Sequence, residues 1–225
     1  MRSTQKVEML MENFEDVSEE DLNEHEWGRT SMAIAQEIRL WSEKVLEVSS
    51  PLFGGMPPCP YAKQAWLRET VMIHVIPDLD SVTEVKAYHP PTDDLIHVMA
   101  LPDYESIPPD VFDAWIEKQN KNHFGTWVMG FHPNSPENPL TEPFEGTIED
   151  DYAIIVVQSY KQLVEASDTL DGTEYYSRFP QSDLDYVAKR KETYDAWNEK
   201  VDAEIQTHFE ETALQSRIEG TEVEH

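Results

Sequence analysis

The sequence predicts an α/β (α+β) domain: a compact four-stranded mixed sheet covered by helices, with a long C-terminal helix and an acidic N-terminal arm. Two observations carry this. Four short runs, Thr70 to Ile76, Leu95 to Leu101, Thr126 to Phe131 and Tyr152 to Gln158, are rich in β-branched or aromatic residues and bounded by Pro, Gly or Asp. Most are apolar at both alternating positions, so both faces of their sheet need cover, and helices with one apolar stripe supply it.

The elements follow in order. Met1 to about Gly28 is dense in acids, has few aliphatics and keeps no period, as suits a mobile arm; the chain divides into an arm over 1–29, a domain over 30–181 and a C-terminal segment over 182–225. A hydroxyl at Thr30 or Ser31 caps a first helix, whose Ile34, Ile38, Trp41 and Val45 share a face. That helix stops near Ser49, before Pro51 and Gly54-Gly55, and a short second helix runs from about Pro60 to Arg68. Pro109-Asp110 starts a helix over Val111 to Lys121 with Phe112, Trp115 and Ile116 inward, and another spans Tyr160 to Leu170. The last helix starts at Ser182, where Ser182-Asp183-Leu184-Asp185 offers a cap and an acid three residues on. Its stripe of Leu184, Val187, Tyr194, Trp197, Val201, Ile205 and Phe209 outlasts the needs of one small domain, so it either packs and then frays or pairs with a second copy as a homo-oligomer.

Charge narrows the function classes. Across 225 residues, 17 Lys and Arg face 45 Asp and Glu, a formal charge of −28 that repels phosphate backbones and anionic lipid heads. Direct nucleic-acid and membrane binding are disfavoured. The longest apolar run, Ala153 to Val157, cannot span a bilayer, and the first residues have no signal-peptide pattern. A single Cys59 forms no internal disulfide, which fits a soluble protein of the reducing cytoplasm.

Three places invite chemistry. In Gly54-Gly55-Met56-Pro57-Pro58-Cys59-Pro60-Tyr61-Ala62-Lys63, Pro60 suits the first helical position, so Cys59 becomes the cap and its sulfur faces free amides at the positive helix end. That placement, with Lys63 one turn on, lowers a thiol pKa and suits a nucleophilic, redox or metal-ligand sulfur; a buried structural Cys is the competing reading. His132, in Gly130-Phe131-His132-Pro133-Asn134, sits where a strand yields to a loop, as a base, a ligand or a hydrogen-bonded structural residue. His74 and His97 each lie mid-strand and meet if their strands are neighbours; His97 and His132 with Cys59 form a candidate set for a divalent transition metal such as Zn or Fe, core histidines being the alternative. Phosphate-loop, dinucleotide and Gly-x-Ser-x-Gly signatures do not occur.

The order of Cys59-Pro60-Tyr61-Ala62-Lys63, Leu95-Ile96-His97, Phe131-His132-Pro133 and Leu163-Val164-Glu165-Ala166-Ser167 resembles a bacterial family of uncharacterised proteins with Cys-Pro-Phe-Ala-Lys, Leu-Ile-His, Phe-His-Pro and Leu-Arg-Glu-Ala-Ser motifs, over about Ile34 to Lys191. Where that family has Arg before and within the last of these helices, this chain has Gln158-Ser159-Tyr160 and Val164. The resemblance supplies no reaction, and it implies one pocket shared by Cys59, Lys63, His97 and His132. Cys-Pro-Tyr also resembles the glutaredoxin motif, but Ala62 replaces the resolving cysteine, which excludes a dithiol cycle.

Three functions then compete. The first is an enzyme or small-ligand protein with Cys59 as nucleophile, redox thiol or metal ligand, Lys63 as its charge partner and His132 as base or second ligand. The second is a non-enzymatic acidic protein, of DNA-mimic or inhibitor type, that occupies the basic surface of a protein partner. The third is an assembly component laced by the long helix and the arm.

Overall fold

The computed structural model describes residues 30–82, 95–121, 125–135 and 152–221, with side chains as far as Thr207. The acidic arm over 1–29 lies outside the described residues. Eight elements carry the architecture: α1 (Ser31–Trp41), α2 (Ala62–Leu67), β1 (Val71–Val75), β2 (Ile96–Leu101), α3 (Pro109–Lys121), β3 (Thr126–Phe131), β4 (Ala153–Ser159), α4 (Tyr160–Asp171); a ninth, α5 (Gln181–Thr221), follows. The expected strands all form, each within one residue of its predicted ends.

The strands join in the order β1-β2-β4-β3. β1 runs parallel to β2, and β4 lies antiparallel to both β2 and β3, so the sheet is mixed as expected. Parallel neighbours cannot be joined by a tight hairpin, whereas antiparallel ones can. Edge strand β3 is closed by a side chain. Asn120 of α3 donates through Nδ2 to the Val128 carbonyl at 2.8 Å and accepts from the Val128 amide at 2.8 Å, a strand partner made from one carboxamide.

Alternation along the strands sorts side chains onto two faces. One face carries His97, Met99 and Leu101 of β2, with Ala153, Ile155 and Val157 of β4 and Val128 of β3, packed around Phe112 of α3. The other carries Val98 and Ala100 with Ile154, and α1 covers it through Ile34, Ile38, Trp41 and Val45. Thr30 caps α1 by accepting the Ala33 amide at 3.1 Å, and a wider π turn, Ser42–Leu46, extends it. Each buried aliphatic on these faces contributes about 1.5–3 kcal/mol relative to exposure.

A third cluster holds the Cys59 segment in place. Phe53 packs with Leu170 and Tyr175, with Tyr176 and Phe179 against them. Gly54 makes the approach feasible: its φ is +62°, and a Cβ there would lie 2.3 Å from the Glu174 carbonyl oxygen.

Contacts group the residues through Phe179 in one unit and those from Pro180 in another. Within the second unit α5 spans 41 residues, about 60 Å of helix. It begins at Gln181, one residue before the expected Ser182 cap, and the Pro180 carbonyl accepts from Asp183 and Leu184. Ser182 is therefore inside the helix, where its hydroxyl donates to the Asp183 carboxylate at 3.2 Å. Leu184, Val187, Tyr194, Trp197 and Val201 are half-buried, whereas Ile205, expected on the same stripe, is 50% exposed. Among the described residues no helix is long and apolar enough to cross a membrane.

Replacing Asn120 with Ala removes both bonds to the outer edge of β3 and leaves Val128 with an unpaired amide and carbonyl. Urea denaturation should show a loss of about 1–3 kcal/mol, and an unchanged midpoint would show that water replaces the carboxamide at no cost.

Candidate functional site

Cys59 sits between two aromatic anchors. Its amide donates to the Leu46 carbonyl at 3.1 Å, tying the segment to the turn that continues α1. The Tyr175 hydroxyl donates to the carbonyl of Pro58, and the Tyr61 hydroxyl reaches the Ala166 carbonyl at 3.4 Å. The residue as a whole is half-buried, and its thiol points inward, away from solvent.

The expected cap geometry is met in part. α2 begins at Ala62 with Tyr61 as its cap residue, so Cys59 lies two residues earlier than a cap, in a turn closed by the Ala62 amide on the Cys59 carbonyl at 3.2 Å. The amides of Tyr61 and Ala62 nevertheless donate to the sulfur and draw its pKa down. They are outweighed. Burial, the largest influence, pushes the thiol above its ordinary value of 9.0, and the Glu47 carboxylate pushes the same way. The expected depression is thus reversed, because desolvation of a thiolate costs more than two amide dipoles return.

Lys63 does not reverse that balance. It is exposed on α2, and the charge that reaches the thiol is that of Glu47. Glu47 is fixed by Arg39 and by the Ser42 hydroxyl at 3.1 Å, while Trp66 donates its indole N–H to the same hydroxyl at 2.8 Å and Arg39 lies over the Trp66 ring at 4.8 Å. Tyr175 is held above the usual phenol range by burial first and by the neighbouring Cys59 second. The niche therefore holds a protonated thiol beside a protonated phenol at neutral pH.

His132 is occupied from both sides. The Asn134 amide donates to its Nδ1 at 3.1 Å, so Nε2 carries the proton and donates to the Ile107 carbonyl at 2.9 Å, with the Tyr104 carbonyl at 3.3 Å. Phe112 and Tyr104 set their rings edge-on against it. The ring staples the end of β3 to the loop before α3. In this arrangement backbone groups engage both the Nδ1 lone pair and the Nε2 proton.

His74 and His97 do meet, as the parallel pairing of β1 with β2 requires. Nε2 of His74 and Nδ1 of His97 are 3.0 Å apart, with ring centroids 5.3 Å apart and planes 27° from parallel. The centroid separation exceeds the nitrogen separation by about two ring radii, so the rings point head-on and share a proton along the line rather than stacking. His97 is fully buried.

These groups do not form one pocket. Cys59 is bonded to the turn behind α1, on the face of Val98 and Ala100, whereas His97 looks to the opposite face with Met99 and Leu101. His132 packs against Phe112 on that second side. Cys59 and the imidazoles are thus anchored to elements on opposite faces of the sheet, and among the described residues no three His, Cys, Asp or Glu converge on a common metal position. Among the described residues the set of Cys59, His97 and His132 expected for Zn or Fe is not assembled.

One charged feature was not visible as a feature in the sequence. The C-terminal ends of β1, β2 and β3 share one edge of the sheet, since β1 is parallel to β2 and both β2 and β3 oppose β4. Asp78, Asp80, Asp103, Glu105 and Asp110 are exposed there, and residues 76–82, 102–110 and 132–135 contain no Lys or Arg. Asp78 is held below the ordinary carboxylate range by the amide and hydroxyl of Ser81 and so stays ionised. The general abundance of acids hides this edge; only the strand order reveals it. No family model, curated protein or solved structure matches the chain.

Two outcomes check the site. The stability Cys59 lends as a buried thiol is present below pH 9.0 and is lost as pH rises above it, because the folded state holds that proton more tightly than the unfolded one. Alkylation by iodoacetamide at pH 8 should run at least about tenfold slower in the native protein than in urea; equal rates would contradict the raised pKa. His132→Phe strips partners from the Ile107 carbonyl and the Asn134 amide, and equilibrium unfolding should record a loss of about 1–3 kcal/mol per unpaired group.

Proposed function

We propose that this chain is a non-enzymatic acidic protein that docks a basic surface on a protein partner. The observation that carries this reading is the carboxylate edge of Asp78, Asp80, Asp103, Glu105 and Asp110, with no cation among its described residues, on a chain of net charge −28. Such an edge concentrates negative potential on one side of a rigid sheet, which orients and accelerates encounter with a positively charged surface. The charge equally repels nucleic acid, so the partner is read as a basic protein surface, of the kind that otherwise holds phosphates.

The side chains first suggested for catalysis support this reading through what they do. His132 links a strand end to the loop that carries Asp103 and Glu105, and Cys59 remains a protonated thiol. Both hold backbone in place. An interaction surface gains from such rigidity, because immobile carboxylates lose less entropy on binding.

Two variants of equal charge separate edge from bulk. One neutralises the edge, with Asp78→Asn, Asp80→Asn, Asp103→Asn, Glu105→Gln and Asp110→Asn; the other neutralises exposed acids on helices, with Glu165→Gln, Asp171→Asn, Asp195→Asn, Glu199→Gln and Asp202→Asn. Titration calorimetry with a decalysine peptide at two salt concentrations should find binding that weakens with salt, and a loss at least about tenfold greater for the edge variant. Equal losses in the two variants would sink the edge as the docking surface.

A further inference from the structure

We draw no further inference here: the strongest candidate, the head-on His74–His97 imidazole pair at the seam of β1 and β2, brings only two ligating nitrogens that already share one hydrogen bond, and nothing among the described residues supplies a third metal-ligating group or shows what else would bind there.

Discussion

The antiparallel register of β2 on β4 decides which side chains can meet. Pairing His97 with Val157, Met99 with Ile155 and Leu101 with Ala153 commits these residues to the α3 face, and their neighbours Val98 and Ala100 to the α1 face. A slip of one residue would exchange the two sets and put His97 on the side of Cys59. Burial forbids it: both central strands are apolar except at His97 and at the β4 end, Gln158-Ser159, and each face already fits its helix layer. The distance between a sulfur and an imidazole is thus a consequence of sheet packing, settled far from either group.

Within that frame, Cys59 shows how two local rules compete. Amides at the start of a helical turn lower a thiol pKa, and burial raises it. Here the Phe53, Leu170 and Tyr175 cluster packs the preceding segment tightly, Tyr175 bonds Pro58, and Glu47 adds a charge of the wrong sign for a thiolate. The sequence displays the amides, because Pro60 and the turn are local. Glu47 and Tyr175 approach Cys59 from 12 and 116 residues away in the chain, and no local pattern announces them.

The same division between local and distant explains what could be read in advance. Strand limits, the Thr30 cap and the helix order depend on near neighbours and were legible from period and punctuation. The start of α2 was not, since Pro60 suits a turn as well as a first helical residue, and the chain spends Pro60 and Tyr61 on the turn. His132 followed the same logic: Phe-His-Pro at a strand end reads as a site or as a staple, and the carbonyls of Tyr104 and Ile107 that it staples lie 28 and 25 residues away, beyond any local pattern. Adjacency of His74 and His97 was conditional on strand order, and the parallel pairing of β1 with β2 supplied the condition.

Strand order also turns a compositional excess into a surface. Acids spread evenly over a chain repel one another and mostly serve solvation, each screened within about 8 Å at physiological salt. Acids that follow the ends of two neighbouring strands, β1 and β2, that point the same way cannot spread, because the sheet fixes their spacing. Asp78 illustrates the cost and its remedy: the Ser81 amide and hydroxyl stabilise its ionised form, so crowding does not return a proton to it. The sheet needs cover on its faces but not at this edge, where turns already satisfy the backbone, as the Ile107 amide does by donating to the Tyr104 carbonyl. An edge free of packing duty can carry uncompensated charge, because nothing in the core sets its composition.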